Sequence, residues 1–393
     1  MSVLISILVC GAVLGAVSLW VQLRRRNVEV WLGSFVVMEC RRIASERRNG
    51  PVDVLLCIAD HFEPADNADG DLAIEDWLDR YPSLCGEFRD SSGRGPRHTF
   101  FYPIDQYVER HVDAIARLCA RGQGEVEVHL HHDHDTERSL EEKLRHWTGL
   151  LAERHGLLGR WPDGRIAYGF VHGNWALNNS CPDGRWCGVN DELSVLARTG
   201  CYADFTLPSA PSPTQTRTIN RLYYGASSAG RCKGHDGGVS VGAGAQPRGS
   251  LMLMQGPLRL CWTGLRPGIE NGCIQATQPP TMERLDRWIR CGVGVTGRPE
   301  VVFVKLHTHG AKGPNREVLL GEPMRKFHAG LASRAASDPL FRFHYVTARE
   351  MYNLAKSGES GGAGTVAEML RGPIRGPGPD NNSSFVLERA KCA

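Results

Sequence analysis

From residue 52 onward, short apolar runs alternate with longer segments in which apolar residues recur every three or four positions. The short runs predict strands at 54–59, 98–102, 125–131, 166–172, 201–207, within 251–262, and at 301–307 and 342–346. Helical spacing links Ile104, Val108, Val112, Ile115 and Cys119. It also links Leu140, Leu144, Trp147 and Leu151, with Ser139 and Glu142 placed as a capping box. Further helices are predicted at 191–199, 282–291, 317–335 and 348–356. Such alternation predicts a parallel α/β fold. About seven or eight units favour one closed (β/α) barrel over two small domains. An open doubly wound sheet is the alternative, but no G-x-G-x-x-G follows the first strand.

Three stretches break the rhythm. Residues 225–250 are rich in Gly and Ser and read as a surface insertion or active-site loop. Residues 357–393 are rich in Gly, Pro and Asn and read as a disordered tail. At the other end, Val3 to Leu23 is uncharged and almost wholly apolar, and Arg24-Arg25-Arg26 follows at once. That length predicts a transmembrane helix. A cleaved signal would carry its positive charge ahead of the apolar run. The positive-inside rule then puts the rest of the chain on the cytoplasmic side. The expected organisation is a membrane anchor and basic flank (1–27), a connector (28–51), a catalytic barrel (52–356) and the tail.

Composition changes this picture little. With 41% hydrophobic and 23% charged residues the chain belongs with globular proteins. A net charge of +3 gives no basis for a nucleic acid partner. Thirteen cysteines occur without a C-x-x-C pair, so neither a zinc ribbon nor a disulfide framework is indicated. They read as small buried hydrophobes in a reducing compartment.

The chemistry concentrates at strand ends. Seven of the 15 histidines fall in Asp60-His61-Phe62-Glu63, His129-Leu130-His131-His132-Asp133-His134-Asp135 and His307-Thr308-His309. His, Asp and Glu bind divalent metals and move protons near neutral pH. Along 125–131, Val126, Val128 and Leu130 share one strand face, and Glu125, Glu127, His129 and His131 share the other. Two imidazoles at i and i+2 can reach one cation. Asp133 follows in the loop. Lys305, His307 and His309 repeat the pattern opposite Val304 and Leu306. A charged inward face is costly without a purpose, whereas an exposed His/Asp loop would be ordinary. Two further strand ends carry His172, Asn174 and Trp175, and Asp204. Trp suits sugar-ring stacking and Asn suits hydroxyl recognition. Asp204 suits support of a metal-bound histidine. A scaffold role is an equal reading for each of these four. Trp262 and Tyr102 read as core aromatics.

In this order along the chain, the motifs resemble the polysaccharide deacetylase family, carbohydrate esterase family four, and its wider superfamily of deacetylase and glycosidase barrels. Asp60-His61 stands where that family has a paired-acid motif, with His61 replacing the second acid. His129-Leu130-His131-His132-Asp133 stands at its histidine motif, and Leu306-His307 with His309 near its late histidine. Asp191-Glu192-Leu193 followed by Gly200 to Phe205 is similar to its later helix-then-strand segment. The resemblance covers roughly 52–350 through short motifs only; T-F-D-D-G and R-x-P-[YF]-G are absent. It implies a metal-dependent hydrolase that removes N-acetyl groups from a polysaccharide or lipid-linked saccharide. It implies a divalent cation, zinc first, held by His61, His129, His131 and Asp133. Asp60 would be the base and His307 or His309 the acid. Exchange of Asp60 and His61, or a carboxylate ligand from Asp133, stays open. A glycosidase, an amidohydrolase or phosphoesterase barrel, and a membrane-anchored glycan-binding protein are the competing readings.

Overall fold

The computed structural model describes residues 2–44, 50–227, 230–263, 266–361, 366–370 and 372–377. Its strands are β1 (Val52–His61), β2 (His98–Pro103), β3 (Gly124–Leu130), β4 (Gly159–Arg160), β5 (Ile166–His172), β6 (Cys201–Asp204), β7 (Leu222–Gly225), β8 (Val239–Ser240), β9 (Leu251–Met254), β10 (Arg259–Thr263), β11 (Arg266–Glu270), β12 (Val301–Thr308) and β13 (Phe341–Tyr345). Its helices are α1 (Ser2–Arg24), α2 (Leu32–Ala44), α3 (Ala68–Glu87), α4 (Glu109–Ala120), α5 (Glu137–Glu153), α6 (Glu192–Arg198), α7 (Met282–Cys291), α8 (Gly313–Leu320), α9 (Glu322–Ser337), α10 (Ala348–Glu359) and α11 (Val366–Met369).

The mixed α/β architecture expected from the alternation is present, and every long predicted strand has a counterpart. The closed barrel is not. An eleven-stranded, mostly parallel sheet runs β12-β1-β2-β3-β5-β6-β9-β7-β8, with β13 added to β1 and β4 to β5. Among the described residues no ladder joins β9 to β12. After β9 the chain turns into the antiparallel ribbon β10-β11 instead, and the other side of β12 takes an isolated bridge from Cys273 to His307 and a bond from the Phe303 amide to the Val293 carbonyl rather than a ladder. The sheet is nonetheless curled. Lys305 of β12 reaches the carbonyls of Phe205 and Leu207 just past β6, donating at 2.5 and 2.7 Å. The number of strand-like runs in a sequence does not fix which edges pair, and here a side chain spans the gap that a ladder would close.

Alternation assigns the two faces. Val54, Leu56 and Ile58 of β1, Phe100 and Tyr102 of β2, and Val126, Val128 and Leu130 of β3 join one core with Trp77 of α3, Ile115 of α4, Leu144 of α5 and Trp288 of α7. Leu55, Cys57 and Ala59, Phe101, Val171 and Phe303 form the inner core, which Met351 and Leu354 of α10 plug from below. Helix α5 starts earlier than its spacing suggested. Thr136 is its N-cap, and the reciprocal box pairs Thr136 with Ser139 rather than Ser139 with Glu142.

The N-terminal expectation also needs correction. Residues 3–23 lie within α1, but among the described residues no helix is long and apolar enough to cross a membrane. The single-pass anchor, the membrane partner and the cytoplasmic-side placement drawn from the arginines therefore lose their support. The basic flank packs onto the main body: Arg26 donates to the Pro267 carbonyl at 3.1 Å and Asn27 to that of Pro211 at 2.8 Å. Val28 and Trp31 are buried against Ala210, Ile219 and Leu258. Trp262, expected in the core, is 59% exposed on β10. Of the expected tail, 357–359 belong to α10, Val366–Met369 is helical and Arg375 pairs with Arg160; residues 362–365, 371 and 378–393 lie outside the described residues.

Candidate metal centre

Four of the predicted site histidines meet at the C-terminal ends of β1, β3 and β12, joined by Glu63. His61 ends β1 on its inner face, beyond Ala59. Its ring centroid lies 5.0 Å from that of His129, 5.0 Å from His309 and 6.4 Å from His307. His129 and His131 are 4.5 Å apart. Glu63, two residues past β1, sets Oε1 3.5 Å from Nε2 of both His129 and His131. Ligand atoms of Glu63, His129 and His131 lie within 4.8 Å of one another, as do those of His61, Glu63 and His309. These groups can hold a metal ion.

The donor set also shows the signature of unmet demand. Nδ1 of His61, both ring nitrogens of His129 and Nδ1 of His307 are buried without a hydrogen-bond partner. Buried polar groups are ordinarily bonded, so unpartnered nitrogens on His61 and His129, both grouped with Glu63, fit a cation ligand set. Gly173 leaves the room: a Cβ there would come within 2.5 Å of His129 Nε2 and 2.6 Å of His131 Cγ.

Burial and charge divide the histidines. Burial pushes His129 down to about 3 and holds His61 and His307 well below the ordinary imidazole range. Burial opposes the charge on His131 too, but Asp105 and Glu63 outweigh it and raise its pKa to about 9. Asp105, on the turn after β2, takes the His131 amide at 3.0 Å on Oδ1 and faces His131 Nδ1 with Oδ2 at 3.1 Å. That contact fixes the ring so that Nε2 points at Glu63. A carboxylate behind a ligating imidazole is the usual way of orienting such a ring.

Asp60 is placed elsewhere. Next to His61 on an extended strand, it faces the helix layer with Ile58. Its Oδ2 pairs with His98 Nε2 at 2.8 Å and its Oδ1 accepts the Gly310 amide at 2.6 Å. Asp133 is half exposed in its loop and accepts the amides of His134 and Trp186 at 2.9 and 2.6 Å. Trp175 lies in the cluster, stacked on His61 at 4.7 Å and 25° and edge-on to His307 at 5.2 Å. Asn174 is half-buried beside it, its amide donating to His172 Nδ1 at 3.3 Å. His172 itself is fully buried on the helix side. Asp204 is buried and accepts from Thr206 at 3.0 and 2.7 Å; burial raises its pKa toward about 7. The hydroxyl of Thr206 in turn accepts the His172 amide at 2.9 Å.

Glu63 was visible in the sequence as a third titratable group in its motif. Asp105 and Gly173 carried no such signal beyond their place at strand ends. No protein-family model and no curated protein matches this chain.

Proposed function

We propose that the chain is a metal-dependent hydrolase of acetamido groups on carbohydrate, of the polysaccharide deacetylase type, and that zinc is its cation. The observation that carries this reading is the convergence of His61, Glu63, His129, His131 and His309 with ring nitrogens left unbonded. Two imidazoles and a carboxylate, as His129, His131 and Glu63 provide, are a donor set that catalytic zinc takes. When bound, such a cation supplies Lewis acidity, polarising an acyl oxygen and making water more acidic.

His129, His131 and Glu63 hold the cation, and Asp105 keeps the His131 ring in its ligating orientation. His61 and His309 form a second group with the same Glu63. Of these two, His309 is the less buried and is assigned the proton transfer to the departing amine. Asp60 acts through the Gly310 amide, holding the turn that carries His309, rather than as the base suggested by its motif position. Trp175, stacked on His61 by one indole face, supplies the other face to a sugar ring.

The test is acetate release from N-acetylated chito-oligosaccharides by the zinc-loaded full chain. Release that disappears in His129→Ala/His131→Ala supports the reading. A zinc-loaded chain that frees neither acetate nor amine overturns it.

A further inference from the structure

A second group of metal-ligating side chains lies on the opposite face of the sheet. His132 follows His131 and so points the other way. His172 ends β5 in register with Leu130, an outer-face residue. Both therefore face the helix layer, where Glu192 opens α6 and Cys187 sits in the loop before it. Ligand atoms of His132, His172, Cys187 and Glu192 lie within 4.8 Å of one another, and all four side chains are fully or almost fully buried.

We propose that His132, His172, Cys187 and Glu192 form a second site for a zinc-like divalent cation, structural in role and separate from the cluster at Glu63. Two imidazoles, a thiolate and a carboxylate are each donors that zinc takes, and four of them close a tetrahedral site. The two sites share no ligand, because strand alternation sends His129 and His131 to one face and His132 and His172 to the other.

The surroundings fit a cation better than four polar groups left to one another. His172 Nε2 is fully buried without a hydrogen-bond partner, at 3.9 Å from Glu192 Oε1. His132 is already set up as a ligand. Asp135 Oδ2 stands 3.2 Å from its Nδ1, leaving Nε2 turned to Glu192 Oε1 at 3.0 Å. A cation would replace the proton now shared across that second contact. Asp135 is itself anchored by Lys143 at 2.7 Å. The Cys187 thiol reaches Glu192 Oε2 at 3.4 Å and would lose its proton on binding. The Asn174 amide contact to His172 Nδ1, 3.3 Å long, yields as that nitrogen takes up the proton.

The role follows from what the four residues join. They tie the loop after β3, the end of β5 and the 176–191 segment, which has little regular structure. Asp135 donates its amide to the Cys187 carbonyl at 3.0 Å, and a Cβ on Gly188 would meet the backbone of Asp135 at 2.8 Å. The cation would pin these segments together directly behind the strands that present His129, His131 and Trp175.

X-ray absorption of the zinc-loaded full chain tests the proposal. The expected result is two zinc ions per chain and a sulfur neighbour at about 2.3 Å. That sulfur neighbour and one zinc are lost in Cys187→Ser and kept in His129→Ala/His131→Ala. A wild-type chain with only nitrogen and oxygen neighbours overturns the second site whatever the variants do, and leaves the Glu63 cluster standing. A single zinc with a sulfur neighbour, retained in the double alanine variant, supports the second site and overturns the first.

Discussion

Asp60 Oδ1 accepts the amide of Gly310, on the turn beyond β12, at 2.6 Å. The bond spans 250 positions of sequence and sets the direction in which the chain leaves β12 just after His309. Replacing Asp60 with Ala strands two buried donors, the Gly310 amide and the ring of His98. Each such group costs about 1–3 kcal/mol. Urea unfolding should show Asp60→Ala destabilised on that scale, with zinc binding at His129 and His131 retained. Full stability in the variant would show that the pair does not hold the turn.

Asp105→Asn should leave the fold intact and weaken zinc binding at the Glu63 cluster by roughly 10–100-fold, the usual effect of losing a carboxylate behind a ligating histidine. Calorimetric titration of the metal-free chain measures this. An unchanged affinity would mean that His131 is not a ligand, since Asp105 contacts the cluster through that ring.

Gly173→Ala should act on the same rings by crowding. Its Cβ would press on His129 and His131, and overpacking of this kind costs about 1–3 kcal/mol. The expected outcome is a chain that folds but binds zinc at least several-fold more weakly. Equal affinity in the variant would show that the rings do not need their present places.

Much of this centre was legible in the chain. Alternation along 125–131 and 301–309 separated His129, His131, His307 and His309 from their apolar neighbours, because a strand sends successive side chains to opposite faces. The same rule, carried one step further, separates Asp60 from His61, which the motif comparison had placed together. Asp105, Cys187 and Glu192 were not legible as partners, because they meet the histidines through tertiary packing that no local spacing records. The closed barrel failed for a related reason: strand-like runs count strands but leave the β9–β12 edge undetermined. The N-terminal run was read from its length and lack of charge, while the packing of Val28 and Trp31 on the main body had no local signature.

Stability should depend on pH through Glu127, which lies on the inner face below His129. Burial pushes its pKa up to about 8, against the pull of the Tyr202 hydroxyl and the Gly169 amide. The folded chain thus binds this proton more tightly than the unfolded one. The group's contribution is most favourable below its ordinary value of 4.5, declines as pH rises to about 8 and is level above. Comparing urea unfolding of the wild type and Glu127→Gln between pH 5 and pH 8 isolates the effect. The variant should gain stability relative to wild type as pH rises; a constant difference would contradict the assignment.

Trp175→Ala should raise KM for a chito-oligosaccharide roughly three- to tenfold, the scale of one aromatic stacking contact, while zinc content stays the same. A change in kcat alone would place Trp175 with the rings it touches rather than with the sugar.

His129 and His131, with Glu63, are the proposed holders of the metal ion. Elemental analysis of the full chain, purified in zinc and freed of loose metal, tests this assignment against the same chain carrying His129→Ala and His131→Ala. The account predicts one metal equivalent fewer in the double variant; equal metal content in the two proteins would contradict it.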